Sequence, residues 1–293
     1  MSRSGKTTRS IICCLVVISL AALLGCAGRK VALRTKEGVI LQYRMKEGKA
    51  LTYEKTENST QSMKVMGQAM ETSTQKDMTF TVDPKGLKDG KQVLTITIDS
   101  MDAGLDTPQG KFTADTEEAI GQSFDMMLSS RGKETGLDEA DGIEISLGMA
   151  GTRSVRSDFE AFFPDLPEGR VKTSDTWTTL DTMNVTDSGM DVQIISENLN
   201  TLEGYERVDG RECAKVTVDV TGSVTGKGMQ GGANLEFDGD MTGTETWYFD
   251  YAEGAFVKSS SDISVAATVN VTGAQEMTIP VNQTMLMTST LKQ

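Results

Sequence analysis

Few residues in this chain have the type and spacing to do chemistry, and the most pointed of them is a thiol. Cys26 ends the stretch "SLAALLGCAGRK", directly after Leu23, Leu24 and Gly25. Upstream, Arg3, Lys6 and Arg9 stand without an acid, and an uncharged stretch runs from Ile11 to Leu24. A basic segment followed by an apolar run too short to cross a bilayer, which takes roughly 20 residues, reads as a signal peptide over 1–25. Cleavage between Gly25 and Cys26 would leave the thiol as the first residue of the mature chain. Cys13 and Cys14 leave with the signal, so only Cys213 remains in the exported part and no disulfide can form within it. Cys213 lies in the strand-like "ECAKVTVDV", and the chain contains no histidine to activate it, so it reads as a small buried apolar residue.

The remaining candidates are weaker in chemistry. Met63, Met66 and Met70 offer thioethers, but Gly67 and Gln68 between them mark a hairpin turn, and apolar filling explains them. "DEADGIE" from Asp138 to Glu144 lacks the alternating oxygen ligands of a calcium loop and reads as a solvated turn. Asp238 and Asp240 flank Gly239 on one face of a strand and read as solvation. Four Asn-x-Ser/Thr sequons, at Asn58, Asn184, Asn270 and Asn282, follow from the threonine content. The sequence therefore assigns no catalytic residue, no metal ligand and no cofactor.

Around Cys26 the pattern Leu23-Leu24-Gly25-Cys26 resembles the lipobox of bacterial lipoproteins. The resemblance implies a diacylglyceryl thioether on Cys26, cleavage at the Gly25–Cys26 bond and acylation of the new amine. Two or three acyl chains at about 0.8 kcal/mol per buried CH₂ hold a protein stably where one does so marginally. It implies a cell-envelope location, with the outer membrane as the default because Ala27 stands where an aspartate would signal inner-membrane retention.

Charge separates anchor from body. The whole chain carries −13, but Arg29, Lys30, Arg34 and Lys36 crowd the tether over 26–36, and from Glu37 onward 22 basic residues face 42 acidic ones. The basic collar suits anionic head groups, and the acidic body disfavours nucleic acid as a partner. The membrane is the partner this reading requires. An envelope protein, a polysaccharide or a lipid are the ligands it leaves open.

The elements that must carry any site are strands. In "VLTITID", Leu94, Ile96 and Ile98 fall on one face with Thr95 and Thr97 on the other, and "KVTVDVTGSV" repeats this with Val216, Val218 and Val220. Asp89-Gly90, Asp209-Gly210 and Glu253-Gly254 punctuate them as hairpin turns. "TRSVRSDFEAFFPDLP" breaks the pattern, and the spacing of Val155, Phe159, Phe162 and Phe163 predicts a short helix near the middle, ended by Pro164. Three phrases recur in order: Asp89 to Asp99 parallels Asp209 to Asp219, the stretch around Gly132 parallels that around Gly254, and Lys46 and Leu51 parallel Lys172 and Trp177. An internal duplication follows, with a first β half over 37–163 and a second over 164–293. The expected fold is mainly β: an antiparallel curved sheet or open barrel built from two similar halves.

The phrases "YRMKEGKALTY", "GYERVDGRECAKVTVDV", "GTETWYFDYAEGAFVKS" and "FPDLPEGRVKTSDTW" resemble an uncharacterised all-β bacterial lipoprotein family. That family usually has glycine before Asp175, where this chain has Ser174. More distantly, a strand ending in Trp247, Tyr248, Phe249 and Asp250 before a glycine turn is similar to hairpins of the LolA/LolB-like lipoprotein-carrier half-barrels. The first resemblance lends no catalytic residues, and with no histidine in the chain the sequence favours a non-enzymatic binding or structural role. The second implies a carrier or receptor for a lipid or other apolar ligand. Acids in turns beside glycine, or alternating with apolar residues on strands, are expected to be wet and ionised, so no intrinsic hydrolase activity is expected.

Overall fold

The computed structural model describes residues 37–65, 67–146, 152–187, 190–230, 233–273 and 276–292. Gly25, Cys26, the signal peptide and the tether lie outside them, as does Met66. The chain from Ile40 to its C-terminal end is one compact unit. Its strands are β1 (Val39–Ile40), β2 (Leu51–Val65), β3 (Gln68–Lys88), β4 (Lys91–Thr107), β5 (Gly110–Thr113), β6 (Ser123–Leu128), β7 (Glu134–Thr135), β8 (Glu144–Ser146), β9 (Thr152–Ser154), β10 (Arg170–Val171), β11 (Thr176–Asp187), β12 (Met190–Val208), β13 (Arg211–Gln230), β14 (Ala233–Asp250), β15 (Ala255–Thr272) and β16 (Met277–Leu291).

Twelve of these form one open antiparallel sheet in the order β11-β12-β13-β14-β15-β16-β2-β3-β4-β6-β7, with β5 against β4. The C-terminal β16 pairs with β2, Val281 opposite Met63 through Leu291 opposite Tyr53, so the two runs of strands join into one surface. β2-β3-β4-β6 and β11-β12-β13-β14 are successive antiparallel meanders of the same order. The two Asp-Gly turns occupy equivalent places in them, between β3 and β4 and between β12 and β13. Both turn residues have positive φ in each case, 51° and 77° at Asp89 and Gly90, 48° and 82° at Asp209 and Gly210, which is the turn whose twist suits a two-residue hairpin.

Gly132 and Gly254 end the last hairpin of each meander, and each is closed by a segment leading into a long strand. A Cβ on Gly254 would run into Arg44, and one on Gly132 would run into the carbonyl of Pro164. The amide of Arg44 donates to the Gly254 carbonyl (3.0 Å), and that of Leu166 to the Arg131 carbonyl (2.7 Å). Each opening segment therefore crosses to the other half's turn.

Period-two alternation puts aromatic residues on one face near these turns. Tyr53 stacks on Phe80 and Phe256 at 5.7 and 6.0 Å, Phe159 and Phe162 each meet Phe80 edge-on at 5.0 Å, and Tyr43 meets Phe249 at 5.1 Å. Leu94, Ile96, Ile98 and Val216 are fully buried there. The expected short helix is present only as a 3-10 turn, Val155–Asp158, capped by the Ser154 hydroxyl, because Ala161 at φ 60° turns the chain out of helical geometry. Its phenylalanines instead pack as a knot on the sheet. Asp158 is buried beneath that knot, where Lys55 (3.2 Å) and Lys76 converge on its carboxylate. Burial alone would raise its pKa, but Lys55, Lys76 and Arg153 outweigh this and hold it well below the ordinary carboxylate range.

Candidate functional site: a polar depression and a buried group of acids

Further from the core, the same alternation gives the sheet two unlike faces. One carries Met183, Ile194 and Val224, then Met241 and Val265, then Val281 and Met63, each set directly opposed across neighbouring strands and stepped by two residues from the next. The opposite face carries threonine, asparagine and acids. A depression of about 730 Å³ spans β11 to β15. Three rows of cross-strand neighbours line it. Asn184, Gln193, Thr225 and Asp238 form one polar row and Asp191, Lys227, Glu236 and Asn270 another, and between them runs a row of the apolar face, Val185, Val192, Gly226 and Phe237. The Gln193 amide donates to the Asn184 side-chain carbonyl at 3.0 Å, and the Thr278 hydroxyl donates to that of Asn270 at 3.0 Å. Three acids against one lysine leave the lining negative. Such a surface can exchange hydrogen bonds with hydroxyl groups and repels anions.

A second group of ionisable residues is half-buried on the apolar side of the sheet, which corrects the expectation that the acids are wet and ionised. Glu134 accepts from the Phe163 amide at 2.9 Å, and burial still pushes its pKa up to about 8, with Asp165 and Asp181 adding to the rise. Glu245 is buried beside the Ser259 hydroxyl and is pushed up to about 7 by burial, helped by Asp181. Asp165 rises to about 6 through burial and the nearby Asp181. Burial also raises Asp181, while the Asn198 amide, donating at 2.9 Å, opposes it. A carboxyl titrating near 7 has the proton affinity of a general acid or base at neutral pH. Glu134 is engaged in holding the backbone at Phe163, and Trp177 and Trp247 meet edge-on at 6.1 Å beside the group, with the Trp177 indole donating to the Asp165 carbonyl at 3.4 Å. Among the described residues, no three His, Cys, Asp or Glu side chains gather closely enough to hold a metal ion.

The other sequence candidates fall apart in space. Met63 faces Met70 across the β2–β3 pair, with Gly67 at φ 84° in the turn. Asp138–Gly142 is a 3-10 turn whose Asp141 pairs with Arg156 at 2.8 Å. Cys213 is buried, and burial pushes its thiol up to about 12, far from reactive. Asp240 stays exposed on its strand, whereas Asp238 is a member of the depression. Sequence reasoning passed over Glu245 and Asp181, although the signal was present. Glu245 is in step with Met241, Trp247 and Phe249, and Asp181 with Trp177, Met183 and Val185, which places both on the apolar face.

No known family matches the sequence, and no curated protein matches it. Solved structures with similar arrangements are outer-membrane proteins. OccK2 (OpdF) of Pseudomonas aeruginosa in complex with glucuronate is 7% identical over 85% of this chain and 100% of that one, with a TM-score of 0.25. OccK9 (OpdG) of the same organism is 7% identical over 85% and 100%, with a TM-score of 0.23. OmpT of Vibrio cholerae is 8% identical over 83% and 97%, with a TM-score of 0.16. Scores this low carry no conclusion about fold or function.

Proposed function

We propose that this chain is a lipid-anchored protein of the bacterial cell envelope, tethered through Cys26, that binds a polysaccharide or other hydroxyl-rich ligand without transforming it. The polar depression carries this reading. Asn184, Gln193, Asn270 and Thr225 supply paired donors and acceptors, and Asp191, Glu236 and Asp238 supply acceptors, on five strands whose spacing is set by the sheet. Calorimetry of the detergent-solubilised full chain against polysaccharide from its own cells tests it. Gln193→Ala and Asp238→Ala should each weaken binding about tenfold, and unchanged affinity in both would end the reading. Anchoring has its own test: Cys26→Ser should leave an unprocessed precursor, and a normal mature mass would remove the lipid. A turnover of esters, peptides or glycans abolished by Glu134→Gln or Glu245→Gln would make the protein an enzyme.

A second reading rests on the opposite face. Its band of valine, isoleucine and methionine suits a lipid or other apolar ligand, as in a carrier. Native mass spectrometry of protein released gently from its membrane separates the two readings by the mass that stays bound.

A further inference from the structure

The two ends of the large sheet differ. At one end the short β5 and β6 cover parts of β4, and β7 covers part of β6. At the other, β11 pairs with β12 along all twelve residues from Thr176 to Asp187, and among the described residues no strand takes up its outer edge. A long strand with one row of backbone donors and acceptors unpaired is a template for another strand. Its side chains lack the usual protection, because between Thr176 and Asn184 there is no lysine and no proline. Moreover, three exposed apolar residues lie beside this edge on the otherwise polar face. Leu180, Leu199 and Ile195 are 67%, 43% and 41% exposed, and Leu199 and Ile195 sit opposite Thr178 and Thr182, the β11 residues that flank Leu180 on this face.

We propose that β11 pairs antiparallel with β11 of a second copy of this chain, about a two-fold axis at Leu180. The sequence is self-complementary in this register. Leu180 meets Leu180 of the second copy, Thr178 meets its Thr182, and Trp177 meets its Met183. Asp181 falls opposite a threonine, the second copy's Thr179, so no like charges oppose each other. A shift to an axis at Asp181 would set two carboxylates face to face, which is destabilising. On the polar face the two sets of Leu180, Leu199 and Ile195 merge into one apolar strip of six residues that neither copy covers alone. Nine paired residues span about 30 Å, and with a sheet about 10 Å thick the contact lies well below the ~800 Å² per partner of a standard interface. The dimer is therefore weak and reversible. Its partner is a second copy rather than an unrelated strand because the apolar strip is completed only by its own image.

Cysteine scanning of the detergent-solubilised full chain at about 100 µM, under mild oxidation, tests this. Directly opposed residues approach within about 5.5 Å, close enough for a disulfide. Leu180→Cys should give a covalent dimer. Thr178→Cys and Thr182→Cys should each stay monomeric alone but cross-link when mixed, because each faces the other. Leu180→Lys should reduce the dimer fraction in sedimentation at least fivefold with unchanged circular dichroism. Failure of both Leu180→Cys and the mixed pair to cross-link above the single-cysteine controls would overturn the proposal, as would dimers of Thr182→Cys alone. Ligand binding at the depression is measured separately, so the loss of one reading leaves the other standing.

Discussion

Replacing Glu134 with glutamine should make the protein more stable at pH 8 and leave it nearly unchanged at pH 4.5. Glu134 is held at about 8, against an ordinary value of 4.5, because its half-buried position strips water from the carboxylate when it ionises. A carboxyl raised on folding favours the native state while both states are protonated, and that advantage is lost as pH rises from 4.5 through 8. At about 1.4 kcal/mol per pH unit the full gap amounts to roughly 5 kcal/mol, of which about 3 kcal/mol is already lost at pH 7. Glu245 at about 7 and Asp165 at about 6 act with the same sign. Asp158 acts with the opposite one: its carboxyl is depressed, so its contribution is present above 3.8 and is lost as pH falls below. Stability should peak between about pH 4 and 5. Glutamine keeps an acceptor for the Phe163 amide and cannot ionise. At pH 8 about 4.4 kcal/mol is lost, so thermal denaturation should show Glu134→Gln melting roughly 9–18 °C above the parent there, at about 2–4 °C per kcal/mol. A parent whose stability rises from pH 5 to 8, or a variant no more stable at pH 8, would refute the burial of an ionisable Glu134.

Ser174→Gly should stabilise: Ser174 sits at φ 71°, where a Cβ costs roughly 1–2 kcal/mol, against about 0.4–1 kcal/mol of extra freedom gained by the unfolded chain. A melting temperature raised by about 1–4 °C is the expected outcome, and a lowered one would count against the left-handed turn. Gly254→Ala should cost more than about 2 kcal/mol, because φ is 71° and a methyl group would overlap Arg44, whereas Gly210→Ala, at φ 82° with open space around it, should cost only about 1 kcal/mol. Equal losses in urea titrations of the two variants would mean that the Arg44 segment does not cross Gly254.

The strands were legible because their signal is local. Leu94, Ile96, Ile98, Val216, Val218 and Val220 point inward as alternation requires, and both Asp-Gly turns take the positive φ values their residues favour. Ser174 is instructive, because it adopts the left-handed geometry that favours glycine, a demand that no local pattern around a serine announces. The short helix is cut to one turn for a tertiary reason. The spacing of Val155, Phe159, Phe162 and Phe163 suits a longer one, but the chain turns at Ala161, and beyond that turn Phe162 packs against Tyr53 and Phe80. Contacts between residues some 80 to 110 apart in sequence outweigh the propensity of one short segment.

The site was less legible because it depends on register, and register is set across strands. Asn184, Asp191, Gln193, Lys227, Glu236 and Asp238 are each unremarkable polar residues on the solvent side of an alternating strand. They become two rows only once β11 to β14 are aligned, Asp191 beside Lys227 and Lys227 beside Glu236. A one-residue slip in any of those pairs would send its polar row to the apolar face and break up the rows that line the depression. The hydrophobic face thus fixes the polar one: the burial of Met183, Ile194, Val224 and Met241 on one side of their strands sets which residues point to the other, and the polar rows of the depression follow. Changing an apolar residue such as Val224, which does not line the depression, to a charged one should therefore damage ligand binding there through the register alone.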